Sequence, residues 1–163
     1  MRKRQVELAS LSLAGLDEKV GKLVVVDGVY SMGGDLAPLP DILPLCKKYG
    51  ARLMVDDAHS LGVMARGRGT AAHFGATDQV DLIMGTFSKS FASVGGFIAG
   101  PKEAIHWIQH FSRPFIFSAS LPPANVATVL ACLDVLEQEP ERVERLNKIA
   151  ERMRTGLRAM GYN

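Results

Sequence analysis

Ala51-Arg-Leu-Met-Val-Asp56 is a short apolar run that begins just after Gly50 and ends in a polar cluster, Asp57-Ala-His-Ser60. A run this short, bounded by turn residues, reads as a buried strand. Lys22-Leu-Val-Val-Val-Asp27, closed by Gly28, shows the same pattern upstream, and Asp81-Leu-Ile-Met-Gly85 and Phe97-Ile-Ala-Gly100 show it downstream. After the first run, Gly33-Gly34 and the prolines Pro38, Pro40 and Pro44 punctuate the chain. A short helix follows from about Leu39 to Tyr49, with Gly50 placed to cap it.

Residues 62–78, rich in Gly and Ala, read as a loop. A helix is expected from Lys102 to about Phe111, then a short extended piece from Phe115 to Phe117. Pro122-Pro123 sits where a further helix begins, and Ala124 to Leu136 is apolar nearly all round, which predicts burial or packing between layers. Val143, Leu146, Ile149, Ala150, Met153, Leu157 and Met160 recur at spacings of three and four, the stripe of an amphipathic helix. The first 21 residues offer only a weakly helical stretch, Val6 to Leu16. Short buried strands alternating with helices predict an α/β fold, a three-layer domain on a mainly parallel sheet.

The composition excludes several function classes. The chain has 163 residues, 47% hydrophobic and 22% charged, enough for one domain with a real core. A formal net charge of +2, from 19 basic and 17 acidic residues, gives no reason to expect a nucleic-acid or membrane partner. Arg2-Lys3-Arg4 raises the question of a signal peptide, but Glu7 and Asp17-Glu18 interrupt any apolar stretch behind it. No run approaches the roughly 18 apolar residues of a membrane span. Cys46 and Cys132 lie in apolar helical surroundings without ligand-like spacing and read as small buried hydrophobes. A cytoplasmic location is the expectation.

In open sheets of this type, ligands gather beyond the carboxyl ends of the strands. Those ends carry Asp27-Gly28 with Ser31 just beyond, then Asp56 with His59, then Thr86 with Lys89. Lys89 lies in Gly85-Thr-Phe-Ser-Lys-Ser90. Most lysines are solvated, but the small neighbours here, with Ser93-Val-Gly-Gly96 following, leave room for a cofactor. A phosphate-binding P-loop is ruled out because Ser88, not glycine, precedes the lysine. Asp56 reads either as a turn or cap residue or as a ligand-binding acid. A metal site of Asp56, Asp57 and His59 lacks any supporting His or Cys cluster, so no metal is expected.

Five patches occur together and in order: Asp27-Gly-Val-Tyr-Ser-Met32, Val55-Asp-Asp-Ala-His-Ser-Leu-Gly62, Gly85-Thr-Phe-Ser-Lys-Ser90, Gly95-Gly-Phe97 and Phe117-Ser-Ala-Ser-Leu-Pro-Pro123. With them the chain resembles the α-oxoamine synthases, enzymes that use pyridoxal 5′-phosphate (PLP) on the aspartate-aminotransferase fold, fold type I. The resemblance covers roughly residues 22 to 160. It implies that Lys89 forms the Schiff base with PLP and then serves as base toward the substrate α-proton. It implies that Asp56 pairs with the pyridine nitrogen, that His59 and Ser31 contact the phenolic-oxygen side, and that Thr86 lies near the phosphate or Lys89. It also implies a homodimer with a shared active site, in which Ser118 or Ser120 reaches the phosphate of the neighbouring subunit.

The implied reaction condenses an amino acid with an acyl-CoA with loss of CO2. The residue context leans toward serine palmitoyltransferase-like members, with amino-oxononanoate synthase-like members close behind. Family members carry an upstream glycine-rich segment, a residue stacked on the PLP ring and a C-terminal domain that do not match here. The expectation is a piece of such an enzyme: a lead-in over 1–21, part of the PLP-binding large domain over 22–138, and over 139–163 a helix leading toward a C-terminal domain. The alternatives are a non-catalytic structural or regulatory relative of the fold, and an ordinary aminotransferase. Asp57 is expected to point away from Asp56 and be structural. His73, His106, His110 and Trp107 read as surface or packing residues, and Arg66 and Arg68 as a solvated loop with a second reading as contacts for coenzyme A. Arg113 matches a family position without an assigned role.

Overall fold

The structure, a computed structural model, describes residues 6, 7, 10 and 12–162. Of the expected N-terminal helical stretch, Val6, Glu7, Ser10 and Ser12 to Ala14 are helical, while Leu8, Ala9 and Leu11 lie outside the described residues.

Four strands form one sheet in the order of the sequence: β1 (Leu23–Asp27), β2 (Arg52–Asp56), β3 (Leu82–Thr86) and β4 (Gly96–Ala99). β1, β2 and β3 run parallel and β4 is antiparallel to β3, so the mainly parallel sheet is as expected. The register pairs Val26 with Val55 and Val55 with Ile83. Alternation then sends Val24, Val26, Leu53, Val55 and Ile83 to one face, and Val25, Asp27, Met54, Asp56, Met84 and Thr86 to the other.

Helix α1 (Leu39–Tyr49) covers the first face. Its buried residues Leu39, Ile42, Leu43 and Cys46 fall at i, i+3, i+4 and i+7, the spacing of one helical stripe. They join Leu53, Val55, Ala71 and Ala76 in the main core. Truncating one of the large ones, Leu39 or Ile42, to alanine would cost about 2–5 kcal/mol. Gly50 ends α1 in the left-handed conformation (φ 63°), and the Ala51 amide bonds back to the Cys46 carbonyl at 2.8 Å.

The other face is flanked at its β3–β4 side by α3 (Lys102–Phe111), after a short α2 (Thr70–His73). Ile105 and Ile108 of α3 line a groove of about 670 Å³ with Met84, Thr86 and Ile98. Helices therefore lie on both sides of the sheet. At its β1 edge this second face stays open, with Leu23 and Val25 more than half exposed.

Three expectations need correcting. Residues 62–78 are not a plain loop: they hold two 3-10 turns, Ala65–Gly67 and Thr77–Gln79, around α2. The segment around Phe115–Phe117 is not extended. Arg113–Ile116 forms a helical turn, α4, because Pro114 suits a first turn and the Ile116 amide reaches the Ser112 carbonyl at 3.0 Å. Finally, the apolar helix α5 (Pro123–Gln138) is not buried all round in this chain. Val129 is its buried residue, and Val126, Leu130 and Leu133 are exposed. The last helix, α6 (Glu141–Ala159), buries Val143 and leaves Leu146, Ile149 and Met153 of its stripe exposed.

Candidate active site

The three parallel strands end at the same side of the sheet, and each hands the chain to a polar loop. Asp56 is the last residue of β2 and lies on the second face, in register with Asp27 of β1 and Met84 of β3. Thr86, two residues past Met84, ends β3 on that same face. Asp56 is partly buried, and one of its oxygens accepts the Ala58 amide at 2.9 Å, which fixes the carboxylate at the strand end. His59 follows on the exposed rim of that loop.

Asp57 points the opposite way, as alternation requires, and is 1% exposed. Its carboxylate accepts the Thr70 amide at 3.1 Å to each oxygen and the Ser60 hydroxyl at 2.5 Å. Its own amide donates to Met84 on β3 at 2.8 Å. Gly28 and Gly69 press against it so closely that a Cβ on either would overlap its oxygens. Asp57 thus ties the ends of β1, β2 and β3 to the start of α2 and fixes the backbone that carries Asp56 and His59.

Lys89 sits in the loop Phe87–Gly95 between β3 and β4, exposed and with no ion-pair partner among the described residues. The loop is anchored on both sides of it. Phe91 is buried (2% exposed) with its ring edge-on to Phe87. The Ser90 hydroxyl donates to the Leu61 carbonyl at 2.5 Å, joining this loop to the one bearing His59. Ser93 shares hydrogen bonds with Asn125 of α5, and Cys132 lies 3.5 Å from the Phe91 carbonyl. Thr86 closes the loop's neck: its hydroxyl donates to the Gly95 carbonyl at 3.2 Å and lies 2.9 Å from the Ser88 hydroxyl. Ala92 adopts a left-handed conformation (φ 47°), a strained state for a residue with a Cβ.

The remaining predicted residues are placed at the edges of this region. Ser31 is exposed in the turn after β1, beside Tyr30, whose amide bonds the Asp35 carbonyl at 2.9 Å. Burial and the nearby Asp27 carboxylate push the Tyr30 phenol above its usual range. Ser118 and Ser120 lie on the exposed link between α4 and α5. Ser118 donates to the Pro114 carbonyl and lines the groove that also holds Thr86. His106 and His110 pair on the surface of α3, and Trp107 stacks on Phe111 with ring centroids 5.0 Å apart. Among the described residues no group of three or more His, Cys, Asp or Glu could hold a metal ion. Sequence reasoning passed over Asp27 as a site residue. The signal available was that β1 and β2 both end in Val-Asp.

A mainly parallel α/β sheet with lysine, aspartate and histidine gathered at its strand ends is the large-domain architecture of fold-type I PLP enzymes. The chain belongs to the aminotransferase class I and II family, whose sequence model matches residues 5–163. It is similar to a serine palmitoyltransferase of Bacteriovorax stolpii, 54% identical over 141 residues that make up 86% of this chain and 34% of that protein. It is also similar to an 8-amino-7-oxononanoate synthase of Thermosipho melanesiensis, 46% identical over 87% of this chain and 37% of that protein. Among solved structures, a serine palmitoyltransferase variant from S. paucimobilis with a bound PLP–myriocin aldimine superposes with a TM-score of 0.91 at 42% identity, covering 97% of this chain and 40% of that one. The chain thus spans about a third of the length of these curated relatives.

Proposed function

We propose that this chain carries the PLP-binding part of an acyltransferase that condenses an amino acid with an acyl-CoA with loss of CO2, of the serine palmitoyltransferase or 8-amino-7-oxononanoate synthase type. The observation that carries the reading is the convergence of Asp56, Thr86 and the Lys89 loop at the carboxyl ends of parallel strands, with Asp56 on the same face as Thr86.

The donor set fits PLP. Asp56 offers a carboxylate for a protonated ring nitrogen, and Lys89 an amine, without an ion pair among the described residues, for the aldehyde. His59 and Ser31 offer an imidazole and a hydroxyl for the phenolic oxygen, and Thr86 a hydroxyl for the phosphate side. Ser118 and Ser120 would serve the phosphate of a neighbouring subunit in a homodimer. When bound, PLP supplies an electron sink for negative charge developing at the amino-acid α-carbon.

Asp56 holds its proton partner in place, since an opposite charge at close range shifts a pKa by roughly 1–3 units toward the charged form. Lys89, exposed on an anchored loop, would take the α-proton from the substrate. The Asp57 clamp holds the loop that carries His59, and the Ser90 bond to the Leu61 carbonyl ties the Lys89 loop to it. Among the described residues no helix is long and apolar enough to cross a membrane. A cytoplasmic location belongs to the same proposal, supported by two free thiols, Cys46 in the core and Cys132 against the Lys89 loop.

The test is to incubate the chain with PLP, reduce with borohydride and map the labelled peptides by mass. An adduct on Lys89, absent in Lys89→Ala, is the expected result. No adduct, or one scattered over many lysines, refutes the reading. Release of CoA on adding an amino acid and an acyl-CoA to labelled-competent protein separates the acyltransferase from an aminotransferase.

A further inference from the structure

Asp27 and Asp56 are register partners on adjacent parallel strands, so their side chains leave the same face of the sheet side by side. Neighbouring strands lie about 5 Å apart, so the two side chains are lateral neighbours on that face. Asp56 has the Ala58 amide as a partner. Asp27, though partly buried, has no hydrogen bond or ion pair from its side chain among the described residues. Two anionic groups at this range repel, and the arrangement is relieved when a cation lies against both. No ion pair among the described residues supplies that cation: Lys22 bonds the Tyr49 carbonyl and Arg52 pairs with Asp81 at the opposite ends of the strands. The charge of Asp27 is nonetheless felt locally, since it adds to burial in holding the Tyr30 phenol protonated.

We infer that Asp27 is a positioning residue of the proposed cofactor site, a second carboxylate that acts beside Asp56 to keep the cationic group bound there protonated. The inference rests on the PLP reading above. Other titratable groups on the surrounding elements are Tyr30 and Asp35 in the turn after β1, His59 in the loop after β2 and Lys89 in the loop after β3. With several titratable groups around the site, the readout must report on the ring nitrogen itself.

The experiment loads the chain with PLP labelled with 15N in the ring and follows the nitrogen shift against pH by NMR. Asp27→Asn is isosteric, loses no hydrogen bond among the described residues and removes the repulsion with Asp56, so the apoprotein should melt no lower than the unaltered chain. The expected result is a ring-nitrogen protonation midpoint lowered by about one unit in Asp27→Asn, a tenfold loss of proton affinity. Asp27→Glu, which keeps the charge, should restore it. If Asp27→Asn proves unstable, Asp27→Glu decides: its midpoint must stay at the original value, while Asp27→Ser must lower it. A midpoint unchanged in Asp27→Asn but lost in Asp56→Asn overturns the inference and leaves the cofactor reading standing. Failure of the unaltered chain to take up PLP removes the cofactor reading and this inference with it.

Discussion

Replacing Asp57 by alanine tests whether one buried carboxylate holds the strand ends together. The side chain is 1% exposed and accepts two donors, the Thr70 amide and the Ser60 hydroxyl. A hydrogen bond to a charged group contributes about 1.5–3 kcal/mol, so the two together amount to roughly 3–6 kcal/mol. Removing a buried charge also relieves its desolvation. That gain does not win here, because both donors stay buried and lose their acceptor. Against a total stability of about 5–15 kcal/mol, this is a large fraction. In a urea titration with a slope of about 1.5–2 kcal/mol per molar, the midpoint should fall by about 1.5–4 M without a change in slope. Hydrogen exchange at the Thr70 amide should accelerate in step. A loss below about 1 kcal/mol, or a Thr70 amide that stays protected, would refute the clamp.

Thr70 buries its hydroxyl without a hydrogen-bond partner among the described residues. Thr70→Val keeps the amide bond to Asp57, removes the orphan hydroxyl, and should stabilise the chain by about 1 kcal/mol, read as a higher melting temperature. Ala92→Gly relieves the left-handed strain in the Lys89 loop and should raise stability by about 0.5–1 kcal/mol. If the strain serves to aim Lys89, the same variant should slow labelling of Lys89 by PLP despite its greater stability. Tyr30 has its folded-state pKa raised above 10.0, first by burial and then by Asp27. Its contribution is complete below pH 10 and is lost as pH rises through the folded midpoint, so alkaline denaturation should be retarded in Tyr30→Phe. Ultraviolet difference titration at the phenolate band should place the Tyr30 midpoint above the ordinary tyrosine value.

The sheet was legible because its strands are short, β-branched and bounded by turn residues, signals that are local. The opposed orientations of Asp56 and Asp57 followed from strand alternation alone. The partnership of Asp27 with Asp56 was not legible, because it depends on the register between strands separated by α1. The helical turn at Arg113–Ile116 was hidden by its aromatic, β-favouring composition, which the Pro114 start and the Ser112 carbonyl override. Residues 62–78 carried their glycines in plain view. What folds them is Gly69 lying against Asp57, a contact between loops that no window of sequence displays. The exposure of α5 had the same origin: an apolar helix announces that it is to be covered, but not by which surface.

The Asp56–Asp57 doublet makes β2 sensitive to parity. A deletion or insertion of one residue within the strand would exchange the two acids, turning the clamp toward the ligand side and the ligand-side acid into the core. A change of two residues would restore the sides while moving the loop along the sheet by about 7 Å, one pleat repeat. Length variants of this strand should therefore divide by odd and even count, the odd ones losing fold and site together and the even ones retaining the fold while displacing the site.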